Sequence, residues 1–370
     1  MLRNLAGTVL HKVRMLVPRR IKASLRPVFA RPLSRVLRPA ETKIVVEWPP
    51  CRIQPTKTPI THVSVVIPTK NAGALFAEVM EKIRGQDSCY PIDITIVDSG
   101  STDETVAIAR KYGANVIAID PGQFNHGLTR NLAIENTSGE IIVLLTQDAV
   151  PGDTQLVRNL ARVFDDSCVA GAYGRQVPRP DADLLTRRKL NDWLTGRTKP
   201  DISSISDGST YGSMEPYERY KLCNFDNVCS AVRRSVWEQI PFCASEFAED
   251  LDWGKRVLEA GWKIAYEPTA FVVHSHRRSA PYEFKRTYLC HRKLYSLFGL
   301  EALPSWPDLA FSVVCSTCRD WLYAAKHESN FRKCISLWIR TPIYNLAMAY
   351  AQYRGARDEK LLRERKIEGV

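Results

Sequence analysis

The sequence predicts an α/β fold, a mostly parallel sheet with helices on both faces, followed by a helical C-terminal region. Three observations lead there. From His62 onward, short β-branched runs alternate with stretches of helical period, the order that builds a parallel sheet with crossover helices. Two of those runs stop at an aspartate, Asp98 and Asp148, and sheets of this kind bind ligands beyond the carboxyl ends of their strands. After Pro281 the chain turns helical and amphipathic, with Trp306, Trp321 and Trp338 among Lys and Arg residues.

The elements follow in order. "VSVVIP" (63–68) is a first strand, closed by Pro68. A helix over 75–84 puts Leu75, Val79 and Ile83 on one face. "IDITIVDSG" (92–100) supplies the second strand, and Asp103 and Glu104 open a helix running to Tyr112. "NVIAI" (115–119) is the third strand, residues 128–136 are helical, and 141–146 form the fourth strand. Residues 178–222, rich in Pro, Asp, Ser and Gly, are expected to be a mobile loop region near the site. A helix over 248–260 ends at Gly261, and residues 263–276 read as a strand. The expected organisation is a basic segment and linker (1–60), an α/β domain (61–280) and an amphipathic helical region (281–370).

Charge is uneven. The chain carries a net +12, yet residues 1–40 hold ten Lys or Arg and no acid. Basic residues interrupt every apolar run there, so no signal-peptide core forms and no span of a bilayer fits. Leu2, Leu5, Val9, Val13 and Leu16 share a helical face, which suits a helix on an anionic membrane surface. A disordered basic arm, or a helix docking on the body of the protein, suits it equally. Phe29 is the sole aromatic for stacking in that segment, so nucleic acid is not an expected partner. The ten cysteines read as cytosolic thiols, and the lone Cys315-x-x-Cys318 pair assigns no structural metal.

A carboxylate kept near a core needs a partner. Asp98 is followed by "SGSTDET", where Ser101, Thr102 or Asp103 can cap the next helix, leaving Asp98 to accept from a ligand donor such as a pyrimidine ring N–H. Asp148 in "TQDA" can hold Mg2+ or Mn2+ together with phosphates, with Gln147 supporting the shell. Glu249, Asp250 and Asp252 exceed what a helix start requires, so one of them can serve as a general base. His274 and His276, two apart on the expected strand and hence on one face, can supply a metal ligand.

In order and spacing, "VVIPTKN", "IVDSGSTDET", "FNHGLTRNLA", "GEIIVLLTQDAVP", "YGRQVPRPDA", "SAVRRSVW", "FAEDLDWGKRVLEAGWKIAYEP" and "VVHSH" resemble the inverting glycosyltransferases of family two, with the GT-A fold. Among these the bacterial rhamnosyltransferases are the most similar. The resemblance implies that Pro68, Thr69, Asp98, Arg130, Asn131, Gln147 and Asp148 bind the donor nucleotide. It implies that Asp148, with His274 or His276, meets the metal and that Asp250 is the catalytic base. Glu249 and Trp253 are expected on the acceptor side. The first acid of the family's Asp-x-Asp motif is Thr146 here. The implied activity moves L-rhamnose from dTDP-rhamnose to a lipid-linked surface glycan such as O-antigen. It would act in the cytoplasm, peripheral to the inner face of the plasma membrane, with homo-oligomer formation open. A UDP-hexose donor, or a non-catalytic nucleotide-sugar-binding scaffold, is the alternative.

Overall fold

The structure is a computed structural model that describes residues 59–245, 247–276 and 279–368. The basic arm therefore lies outside the described residues. The chain divides at 277/278 into two compact units.

The first unit is built on nine strands: β1 (Val63–Thr69), β2 (Ile92–Asp98), β3 (Asn115–Ala118), β4 (Ile141–Leu145), β5 (Val150–Pro151), β6 (Val169–Val177), β7 (Asp201–Ser203), β8 (Cys229–Arg233) and β9 (Lys263–Val273). Nine helices of this unit are α1 (Leu75–Arg84), α2 (Thr105–Lys111), α3 (His126–Glu135), α4 (Leu156–Ala161), α5 (Leu184–Asn191), α6 (Gly208–Ser213), α7 (Pro216–Leu222), α8 (Arg234–Trp237) and α9 (Glu249–Glu259). The strand order is β3-β2-β1-β4-β8-β6-β9-β5, with β7 on β9. The first four strands pair in parallel. β8 then enters antiparallel to both β4 and β6, and β9 returns parallel to β6. Every residue of β4 is buried, as the unbroken run Ile141–Leu145 requires of a strand covered on both faces. On α1, Phe76, Val79, Met80 and Ile83 form the buried stripe. Burying each such side chain stabilises the fold by roughly 1.5–3 kcal/mol.

This arrangement gathers the functional segments on one edge. The carboxyl ends of β1, β2 and β4 face one way. The reversal at β8 brings its first residue, Cys229, opposite Leu145 at the end of β4, and β6 and β9 finish on that same edge.

Two expectations are corrected here. Residues 178–222 are not a loop region: they contain α5, β7, α6 and α7. Asp183 caps α5 by accepting from the Leu185 and Thr186 amides, Asp207 caps α6 in the same way, and Pro216 opens α7. Short helices start on the same residue types that loops use, so composition misread them. Second, His274 and His276 do not lie on a strand, because β9 stops at Val273. The His274 amide makes a last bond to the Val177 carbonyl, at 2.9 Å, and the chain then leaves the sheet.

The second unit is helical: α10 (Ala280–Phe298), α11 (Trp306–His327) and α12 (Phe331–Glu368). Gly299, at φ +68°, stops α10 in the left-handed conformation that glycine adopts without strain. Leu303, Leu309, Ala349 and Tyr353 form a small core of this unit. Among the described residues no helix is long and apolar enough to cross a membrane.

Candidate active site

Beyond β4, Asp148 stands between two imidazoles. His274 Nε2 is 3.6 Å from one carboxylate oxygen and His276 Nδ1 is 3.4 Å from the other. The two rings meet edge to face, with centroids 4.5 Å apart. One ligand atom from each of the three lies within 4.8 Å of the other two. Although the histidines are off the strand, the turn after β9 brings both to one carboxylate. The donor set, one carboxylate and two imidazoles, fits a divalent cation.

A cleft of about 370 Å³ opens beside this cluster, lined among others by Ala72, Leu75, Gln147, Asp148, Arg179 and His276. Gln147 spans to β1: its Oε1 accepts from the Lys70 amide at 2.7 Å and its Nε2 donates to the Lys70 carbonyl at 3.2 Å. Sequence reasoning missed Arg179. Its Nη2 donates to the Asp148 carbonyl at 3.0 Å, and its buried Nε has no hydrogen-bond partner. The signal was an arginine between two prolines in "QVPRPD", just past a strand end. A guanidinium at that point of the cleft suits an anionic ligand.

The nucleotide-side residues are distributed differently from the expectation. Asp98 is buried, 3% exposed, and its carboxylate already accepts four bonds: from Thr69 Oγ1 (2.9 Å), Ser101 Oγ (2.5 Å) and the Gly100 and Ser101 amides (3.2 and 2.8 Å). Two carboxylate oxygens offer about four acceptor positions, so Asp98 is not left to accept from a ligand; it builds the 98–101 turn. Glu104 is the N-cap of the next helix and makes no side-chain cap bond; Asp103, just before it, accepts from the Thr105 amide and hydroxyl. Pro68 is half-buried and Thr69 buried at the end of β1.

Arg130 and Asn131 also face inward. Arg130 Nη1 pairs with Glu249 Oε1 at 2.8 Å, both side chains nearly inaccessible, and donates to the His126 carbonyl. Asn131 accepts from Trp237 Nε1 and the Phe242 amide, and donates back to the Phe242 carbonyl. Neither is among the residues lining the cleft. The acceptor-side expectation for Glu249 and Trp253 is corrected as well. Glu249 is locked by Arg130 and by Asn227 Nδ2 (3.1 Å). Trp253 has no exposed surface, packs on Phe225 and Phe242, and donates to the Ile240 carbonyl.

Asp250 and Asp252 are both half-buried at the α9 start, but Asp252 is paired with Arg256 at 2.8 Å. Ala248 precedes the helix at φ +56°, a strained left-handed conformation for a residue with a Cβ. Asp250 Oδ2 accepts from the Asn227 main-chain N–H at 3.1 Å and Oδ1 from the Leu251 amide at 2.8 Å. Burial, then the negative charges of Glu249 and Asp226, push its carboxyl up to about 8. Glu249 goes the other way: burial favours its neutral form, but Arg130 and His126 hold it below the usual carboxylate range. Two adjacent carboxylates are thus driven in opposite directions by their surroundings.

Comparison with known proteins bears on the family and the fold. The sequence profile described as "Glycosyl transferase family 2" matches residues 64–240. The chain is 35% identical over 230 residues to the O-antigen chain rhamnosyltransferase RfbN of Salmonella typhimurium, spanning 61% of this chain and 70% of that protein. It is 35% identical over 229 residues, with the same shares, to the O-antigen chain rhamnosyltransferase WbaN of Salmonella anatum. Among solved structures, the mannosyltransferase PcManGT from Pyrobaculum calidifontis, in complex with GDP-Man and Mn2+, aligns at a TM-score of 0.51. That alignment has 16% identity and covers 94% of this chain and 96% of that one, a likeness of fold.

Proposed function

We propose, from the premise that the chain belongs to glycosyl transferase family 2, that it transfers L-rhamnose from dTDP-rhamnose to a hydroxyl of a lipid-linked bacterial surface glycan such as O-antigen. The 35% identity to two O-antigen chain rhamnosyltransferases, over 70% of each, carries this reading. The chain is a glycosyltransferase with a GT-A-like sheet; the donor, the stereochemistry and the metal are the proposal.

The acceptor hydroxyl attacks the anomeric carbon from the face opposite the departing nucleoside diphosphate. The new C–O bond forms as the C–O bond to phosphate breaks, and the hydroxyl proton passes to Asp250. A raised carboxyl pKa makes Asp250 a stronger base than an ordinary aspartate. One base suffices for a single displacement with inversion. Asp148, His274 and His276 hold Mn2+ or Mg2+, which when bound supplies charge compensation for the diphosphate leaving group. Arg179 adds a fixed positive charge on the same side. Pro68, Thr69 and the turn organised by Asp98 shape the nucleotide end, and Arg130 and Asn131 brace it from within.

A place at an anionic membrane surface is supported by α12. Ile335, Ile339, Ile343 and Leu346 are 41–71% exposed and recur at three- and four-residue spacing. Residues 331–357 carry five Lys or Arg and no acid, which is the pattern of an interfacial helix.

Donor and acceptor profiling by mass spectrometry tests the proposal. Purified protein with dTDP-rhamnose and a lipid-linked glycan acceptor is expected to add one deoxyhexose mass, and UDP-hexoses are expected to add none. Transfer from a UDP-hexose alone refutes the donor assignment. The absence of transfer or donor hydrolysis across the panel favours a binding scaffold.

A further inference from the structure

One buried amide connects the Asp148 cluster to the segment that seats Asp250. Gln176, near the end of β6 and 5% exposed, has its Oε1 2.9 Å from His274 Nδ1 and its Nε2 donating to Asp226 Oδ2 at 2.9 Å. Asp226 Oδ1 accepts from the Val228 amide, and the residue between them, Asn227, gives its main-chain N–H to Asp250.

The orientation of the amide follows from charge. Turned the other way, Gln176 would point its carbonyl oxygen at the Asp226 carboxylate, an acceptor facing an acceptor. Asp226 thus fixes the NH2 end, and the carbonyl end must face His274. A carbonyl can only accept, so Nδ1 of His274 has to carry the proton. In the neutral ring that places the lone pair on Nε2, the nitrogen directed at Asp148 Oδ1 from 3.6 Å. A lone pair facing a carboxylate oxygen is repulsive until a cation stands between them.

We infer that Gln176 is a positioning residue which, oriented by Asp226, sets the Nδ1–H tautomer of His274 and so makes its Nε2 a ligand for a divalent cation shared with Asp148 and His276. This rests on the reading of those three residues as a metal site. Outer partners of metal-bound histidines act in this way, and their loss lowers metal affinity about 10- to 100-fold. The glutamine belongs to "YGRQVPRPDA", one of the motifs that carry the family resemblance, but the sequence pattern gives it no role of its own.

The test has two readouts besides transfer activity, both on the full chain. Mn2+ binding is measured by electron paramagnetic resonance on the wild type, Gln176→Met and the double variant Gln176→Glu with Asp226→Asn. The His274 tautomer is read in metal-free protein from ring 15N shifts, assigned by difference with His274→Asn. The wild type is expected to show protonated Nδ1 and unprotonated Nε2. Gln176→Met is expected to bind Mn2+ about 10- to 100-fold more weakly, and Gln176→Glu combined with Asp226→Asn, which keeps an acceptor for Nδ1–H and restores a donor facing the other oxygen, to recover most of the affinity. A wild type protonated on Nε2, or on both nitrogens as in an ion pair with Asp148, overturns the inference without any substitution. So does unchanged affinity in a folded Gln176→Met. A wild type that binds no Mn2+ overturns the metal site itself, and this role with it.

Discussion

Replacing Arg130 with methionine removes the cation from a buried pair while keeping the length of its stem. The Nη1 to Oε1 distance is 2.8 Å and the two side chains are 5% and 6% exposed. At an effective dielectric of about 20 the Coulomb energy of such a pair is about 6 kcal/mol before desolvation is subtracted. Desolvating two ions offsets much of that, so the pair itself contributes little net. Breaking it is different, because Glu249 would remain charged and buried. That cost is about 3–5 kcal/mol, roughly two to four powers of ten in the folding equilibrium. Urea denaturation followed by tryptophan fluorescence measures it. The double variant Arg130→Met with Glu249→Gln is expected to recover a large part of the loss. The gap has a pH signature. The folded pKa of Glu249 is depressed, so its contribution is complete above the unfolded value and fades as pH falls through the folded one; wild type and variant should converge in acid. The reasoning fails if Arg130→Met costs less than about 1 kcal/mol yet abolishes nucleotide binding, for then the guanidinium meets the ligand and not Glu249.

Further outcomes are expected. Asp250→Asn loses transfer by roughly 10²-fold or more while nucleotide binding, followed by calorimetry, persists; wild-type turnover in this variant would remove Asp250 from the role of base. Because the Asp250 carboxyl is pushed up to about 8, transfer should rise with pH up to that region, well above the ordinary carboxylate range. The same shift means the folded form holds a proton that the unfolded chain releases, so stability should decline between about pH 4 and 8, read by thermal melts; an activity limb below pH 5 would contradict both. Asp148→Ala is expected to abolish Mn2+ binding in the resonance assay. Ala248→Gly, relieving a left-handed alanine, should stabilise the fold by about 1 kcal/mol in the same urea titration.

The sheet was readable because each parallel strand is covered on both faces and therefore written as an unbroken apolar run, as in Ile141–Leu145. Helix α3 was readable from Leu128 on, but its start at His126 depends on Asn125, which accepts from the Gly127 and Leu128 amides. The helices between 183 and 222 escaped because their few residues are largely caps. The direction of β8 escaped too, since an antiparallel strand with both faces buried has the same pattern as a parallel one. At the site, Asp148, His274, His276 and Asp250 were legible as costly polar residues at strand or helix ends. The duties of Asp98, Glu249, Arg130 and Trp253 were not. A motif names a residue type, and only the fold reveals whether its side chain meets solvent or a buried neighbour. Gln176 and Arg179 acquire meaning from residues about 30 to 100 positions away, a separation no local pattern encodes.

The group that seats one oxygen of Asp250 is a peptide N–H at position 227. Every amino acid except proline brings that hydrogen with it. Mutation at 227 can therefore alter what the side chain does for Glu249 without dislodging the carboxylate next door. An attachment of this kind tolerates drift in the genetic text, leaving relatives room to exchange one acceptor for another around an anchored proton-taker.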